Sequence, residues 1–297
     1  MDRMHQENQA RSQAPVGQAN GLPGYSLEIG AADIGLLEQM AERLPPGTEI
    51  FLNVLAGELL ADRVEVARRI KALGFVPVPH LAARRLSSEN ELSDSLHQFI
   101  SEGGVQDFLV VSGDALPAGP FSDSLEAVEW IAGSSMNIRS LGVTGYPEGH
   151  PDRSERELEM VLEQKLQYLA ASTIKPFVTL QFSFDAQAII RWCQAFHRRH
   201  PDILVRGGLP GPARLTTLVR FAQRCGVKSS LSRLKSLPLS SSLKLVQRVP
   251  PIEQAEAIRR YRMSENPNLV AHLFSFGGLQ ATLDFIAVDI TGPDMLV

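Results

Sequence analysis

Seven residues with reactive or hydrogen-bonding side chains stand in or just past apolar runs. They are Glu28 in YSLEI, His80 in FVPVPHL, Asp114 after DFLVVSG, Tyr146, Glu148 and His150 in GYPEGHP, and Gln181 in PFVTLQFSF. A carboxylate set among apolar residues is costly to bury in its charged form. Desolvation raises its pKa toward the range of a proton donor, so Glu28 reads as a candidate acid; pairing with a core arginine is the plainer alternative. Gly113, before Asp114, lets backbone approach a ligand closely. Pro147 and Pro151 stiffen the aromatic loop in advance of binding. Amides, one acid and aromatic rings suit a flat heteroaromatic ligand better than a phosphoryl group. The sequence has no GxSxG elbow, P-loop or HExxH, and its His and carboxylate residues fall about one per run, so their spacing indicates no metal centre.

Such residues act together only if the elements carrying them converge. Eight strand candidates alternate with helical stretches: 25–29, 49–55, 75–81, 107–113, 138–145, 176–184, 203–209 and 269–276. Several are nearly continuous in Val, Ile, Leu and Phe, as parallel strands buried on both faces require. DIGLLEQMAERL, ADRVEVARRIKALG, SENELSDSLHQFISEGG and RELEMVLEQKLQYLAAS carry apolar residues at helical spacing, with Ser88 and Asp185 placed as N-caps. Eight units in alternation predict an α/β fold closed into a (β/α)8 TIM-type barrel, whose chemistry gathers at the carboxyl ends of the strands. An open doubly wound sheet is the competitor, but YSLEIGAAD lacks the GxGxxG turn. Residues 228–266 break the rhythm and predict extra helices near the C-terminal third, with an Arg-rich stretch read as a solvated face.

The 297 residues, 44% hydrophobic and 21% charged, suit one large domain over 23–297 behind a flexible polar leader, residues 1–22. A net charge of −4 offers no basic field for nucleic acid or an anionic membrane, and no run is long enough to span a bilayer. Two cysteines without framework spacing fit a reducing, cytoplasmic setting. Exposed barrel helices leave room for a homo-oligomer.

GYPEGHP (145–151) resembles the signature loop of the methylenetetrahydrofolate reductases. SLE (26–28), PHL (79–81), SGD (112–114), Lys165 in LEQKLQYLAA and TLQFSFD (179–185) follow the family's order, with weaker matches in RGGLPGP (206–212) and RFAQRCG (220–226). The resemblance covers most of 24–227. It implies a barrel enzyme of one-carbon metabolism that moves a hydride between NADH or NADPH and methylenetetrahydrofolate through FAD. By the same resemblance Glu28 is the general acid, Asp114 lies near flavin and pterin, and Gln181 contacts substrate. Asn53, His80, Ser112, Gly113, Tyr146, His150 and Lys165 then face the flavin cofactor, with Lys165 suited to its pyrophosphate, and Phe221 covers the ligand ring.

This chain departs from the family at several of those places. Asn53 stands where Thr is common, and Ser112 and Gln164 where Arg is frequent. Val161 replaces a polar phosphate contact, and HLFSFGGLQ (272–280), which includes Gly278, replaces a stretch that usually ends in Arg near the folate. Losing charge-assisted contacts, each worth ~1.5–3 kcal/mol, weakens the grip on a diphosphate. Two alternatives follow: a flavin-free reductase using NAD(P)H directly, and a folate-binding accessory protein on a decayed reductase scaffold.

Overall fold

The structure, a computed structural model, describes residues 24–227 and 248–290; the predicted leader 1–22 and the 228–247 part of the irregular segment lie outside the described residues. Eight parallel strands close into a barrel. In chain order they are β1 (Tyr25–Ile29), β2 (Glu49–Leu52), β3 (Val76–Ala82), β4 (Asp107–Val111), β5 (Ser140–Gly145), β6 (Lys175–Leu180), β7 (Leu204–Pro210) and β10 (Leu269–Phe274), and β1 pairs with both β2 and β10 to complete the ring. All eight predicted strands are present. Several end earlier than expected, so Asn53 and Gln181 lie one residue beyond a ladder and not within it, and Asp114, expected just past β4, lies three residues beyond it.

The crossover helices pack their apolar stripes on the outer face of the barrel. They include α2 (Leu60–Ala72), α3 (Glu89–Ser101), α4 (Ser124–Ala132), α5 (Glu155–Ala170) and α6 (Ala186–His197). Ser88 and Asp185 cap α3 and α6 as expected, accepting from Glu91 N and Gln187 N. The stretch DIGLLEQMAERL does not run as one helix. It forms α1 (Ile34–Gln39), then a 3-10 turn at Ala41–Arg43, because Leu44 precedes Pro45 and must be extended (φ −117°, ψ 136°).

The extra elements of the C-terminal third are α7 (Leu215–Arg224) and a two-stranded antiparallel ribbon, β8 (Ala213–Arg214) with β9 (Arg248–Val249). The Arg-rich stretch expected among them is instead the regular crossover helix Ile252–Ser264, which buries Ala257, Ile258 and Tyr261 against the barrel. Among the described residues no helix is long and apolar enough to cross a membrane.

The barrel interior is filled at its lower level. Phe51, Val78, Leu109 and Phe177 form a separate apolar cluster there. Gly142 makes room for the Phe177 ring, with which a Cβ at that position would collide. Below the rings Arg206, 2% exposed, pairs with Glu49, and its guanidinium lies 4.0 Å from the Phe177 ring centroid and 5.4 Å from that of Phe51. Near the same end Asp107 accepts from Arg139 and from Ser140 Oγ. The barrel is therefore plugged from below and open at the carboxyl ends of its strands.

Candidate active site

The open end is a cavity of about 610 Å³. Glu28, Asn53, His80, Ser112, Gly113, Asp114, Tyr146, His150, Lys165, Gln181 and Phe221 all line it, so the acid, amide and aromatic residues singled out in the sequence reach one space.

At its base stands Glu28. Strand alternation turns it inward with Ser26, while Tyr25, Leu27 and Ile29 face the helices. Its Oε2 lies 3.6 Å from His80 Nε2 and 3.7 Å from His272 Nε2, and the side chain is 13% exposed. The core arginine that offered the plainer reading, Arg206, is committed to Glu49. Burial pushes the Glu28 carboxyl above the ordinary range, against the charge of His80 and an Asn53 hydrogen bond. Burial also pulls His80 down to about 4 and His272, with help from the Arg206 charge, down to about 3. Both rings are neutral at physiological pH. His272 is fixed by Ser26 Oγ at 2.9 Å from Nδ1.

Four buried polar atoms in this region have no hydrogen-bond partner: Asn53 Oδ1, His80 Nε2, His272 Nε2 and Thr179 Oγ1. Orphaned buried groups cost about 1–3 kcal/mol each, and around a carboxyl whose pKa burial raises they suit a polar ligand.

Arg63 of α2 holds the strand ends behind this base. Its Nη2 donates to His80 O at 2.8 Å and, more weakly, to Leu52 O at 3.5 Å. The GYPEGHP loop is anchored likewise. Glu148 accepts from Ser183 Oγ beyond β6, and the Tyr146 and His150 rings meet edge to face at 5.3 Å.

Asp114 sits at the rim, with Gly113 before it at φ 88°. It accepts from Arg85 Nη2 at 2.8 Å and Arg224 Nη2 at 2.6 Å, and these bonds, that of Arg224 foremost, hold its carboxyl down to about 2. Its negative charge is thus shared with two guanidiniums. Arg224 ends α7, which lies across part of the mouth over a second apolar cluster of Phe182, Phe184, Leu218 and Ala222. Phe221 stacks on Phe276 at 4.1 Å. Gly226, at φ 71°, abuts Pro151 so closely that a Cβ would fall 2.6 Å from the proline ring.

The adjoining wall, past the ends of β3, β4 and β5, is basic. Arg84, Arg153 and Lys165 line the cavity around Ser122, Asp123 and Ser124, and burial lowers the Lys165 ammonium to about 8. Gln164 is exposed on α5 and does not line the cavity.

The sequence reading missed Arg84, Arg153, Asp123, Arg224 and His272. His272 shares its inward parity with Phe274 in an apolar run, a signal present in LVAHLFSF. Arg84, Asp123 and Arg153 lie farther along their loops, past the polar residues that directly follow the strands.

A sequence model of the family described as methylenetetrahydrofolate reductase matches residues 37–237, about two thirds of the chain. Methylenetetrahydrofolate reductase 2 of Saccharomyces cerevisiae is 25% identical over 230 residues, which cover 70% of this chain and 36% of that protein. The chain thus spans about a third of the length of that relative. Among solved structures, dihydropteroate synthase of Burkholderia cenocepacia aligns at TM-score 0.48 and 12% identity, over 89% of each chain. The enzyme of the same name from Thermus thermophilus aligns at 0.47 and 11%, over 89% of this chain and 93% of that one. With its match to the family model over most of its length, this chain belongs to the methylenetetrahydrofolate reductase family.

Proposed function

We propose that the cavity interconverts 5,10-methylenetetrahydrofolate and 5-methyltetrahydrofolate, with the electron pair exchanged with NADH or NADPH by way of FAD. The observation that carries this reading is the base of the cavity. A carboxyl group raised by burial stands between two neutral imidazoles, in the same space as Asp114 and Gln181. Opening the methylene bridge of the folate needs a proton delivered to its nitrogen, and a desolvated Glu28 at the closed end of the barrel is suited to give it. Asp114, kept ionised by Arg85 and Arg224, is placed to hold the amino-pyrimidine edge of a pterin, and its residual charge favours the cationic iminium. Gln181 offers an amide on the facing strand end, and Phe221 an aromatic lid.

The donor set supports a dinucleotide. Tyr146, His150, His80, Asn53 and the Gly113 backbone line one side of the space and suit a flat ring, while Lys165, Arg84 and Arg153 suit a diphosphate. FAD, when bound, supplies a two-electron carrier between nicotinamide and folate. A flavin-free reductase is the second reading. It is favoured by Ser112 at a position where Arg is frequent in the family, and by the Asp123 carboxylate already paired with Arg153.

The test is Glu28→Gln, assayed as separate half-reactions. Folate turnover falls far more than nicotinamide oxidation; equal loss in both overturns the acid assignment. A visible spectrum of the purified protein separates the readings, with flavin bands expected for the first and a colourless, active protein for the second. A colourless, inactive protein that still binds folate would support the accessory role.

A further inference from the structure

Three cations from three different elements converge on one short segment of the cavity wall. Arg84, in the turn after β3, donates Nε to the carbonyl of Ser122 at 2.8 Å. Arg153, after β5, donates Nη2 to Asp123 Oδ2 at 2.9 Å. Lys165, on α5, donates Nζ to Ser124 Oγ at 2.6 Å, and Ser124 is tied in turn to Ser112 at 3.1 Å between hydroxyls. Lys165 is only 5% exposed, and its ammonium has three protons to place. The wall is built for an anion, and the anion among these three residues of the segment is the side chain of Asp123.

Asp123 divides its two oxygens. Oδ1 accepts from Leu125 N at 2.7 Å and caps α4, with Glu126 completing a capping box. That leaves Oδ2 for Arg153, and the same carboxylate acts electrostatically on Lys165. The cap requires only the first oxygen. The second places a negative charge in the middle of a cationic wall, where a helix start needs none. Asp152 also lines the cavity, where its charge acts on His150, and among the described residues no hydrogen bond or ion pair ties its carboxylate to Arg84, Arg153 or Lys165.

We propose that Asp123 is an internal competitor for the diphosphate of a dinucleotide, and that it sets how tightly the dinucleotide is held. The inference rests on the reading above that the cavity takes such a ligand. A diphosphate reaching Arg153 either displaces the carboxylate or lies beside it, and both cost affinity. The wall is thereby matched to a ligand that comes and goes more than to one held permanently. The diphosphate is common to FAD, NADH and NADPH, so the chemistry is shared.

Asp123→Asn separates the two jobs, since asparagine caps a helix as well as aspartate but carries no charge. Wild type and variant are titrated with FAD, NADH, NADPH and ADP, following fluorescence or heat, with denaturation midpoints measured in parallel. The variant is expected to bind ADP and at least one dinucleotide about tenfold more tightly at low salt, with the gain shrinking as salt rises. Adding Arg153→Gln is expected to abolish the gain. A gain on FAD alone assigns the wall to the prosthetic group, and one on NADH or NADPH to the exchanging cofactor. Equal or weaker binding by a variant that folds as well as wild type overturns the proposal while leaving the reductase reading intact. If neither protein binds any of the four, the dinucleotide reading falls, and this one with it.

Discussion

At the floor of the barrel Arg206 meets Glu49 and lies over Phe177, and Asp107 meets Arg139 and Ser140. Higher in the barrel, around Glu28, the Nε2 atoms of His80 and His272 and the amide oxygen of Asn53 are buried without hydrogen-bond partners. Both regions are polar and largely enclosed by the same strands. The floor pairs its opposite charges with one another and holds the barrel shut, leaving only Arg206 Nη1 there without a hydrogen-bond partner among the described residues, beside the Phe177 ring. The base of the cavity leaves its polar atoms unpaired, a cost that folding alone does not explain and that ligand chemistry does. Buried polarity by itself is therefore a poor guide to function; whether it is satisfied within the chain is a better one.

The sharpest test of this contrast is at Glu28. Glu28→Gln keeps shape and removes the proton, so folate turnover should fall by about 10²–10⁴ with little change in the denaturation midpoint. A variant that loses stability in place of activity would move Glu28 to the floor's side of the comparison. The reverse holds for Glu49→Gln. Leaving Arg206 buried without its carboxylate should cost about 3–5 kcal/mol in chemical denaturation, and a cost near zero would show that the pair does not hold the floor.

The histidines give a pH test. His80 and His272 have folded values lowered to about 4 and about 3, against an ordinary 6.5. The unfolded chain takes up these protons first, so their contribution to stability is lost as pH falls from about 6.5 toward 4. Glu28, raised by the fold, runs the other way: its contribution is lost as pH rises through its shifted range. His272→Asn, which leaves Glu28, Ser26, Arg206 and Phe51 facing a group that does not titrate, should flatten the acid limb of a stability–pH profile. An unchanged limb would mean that this ring does not contribute to it. The smallest effect belongs to the rim. Arg224→Gln breaks an exposed bridge to Asp114 and should cost under about 1 kcal/mol of stability, visible mainly as weaker anion binding at low salt.

The strands are readable in the sequence because their apolar runs are continuous, as in DFLVV and LVAHLF. Their upper ends are not, because the ladder stops where side chains turn to the cavity, as at Asn53, Ser112 and Gln181. Apart from Glu148, which accepts from Ser183, the residues singled out at the strand ends reach the cavity, since parallel strands of a closed barrel deliver their carboxyl ends to one place. Pairings are invisible for the same reason. Asp114 and Arg224 are 110 residues apart, and Asp123 and Arg153 are 30 apart. No spacing rule connects them; only the closing of the ring and the passage of α7 over the mouth do.

Arg206, Phe51 and Phe177 stopper the barrel from beneath, and Ser26 and His272 are fully enclosed. Of the two ends of the barrel, Glu28 therefore faces only the upper one, where it lines the cavity. Under the function proposed above, a ligand seated in that mouth would shield the carboxyl from bulk water until it leaves.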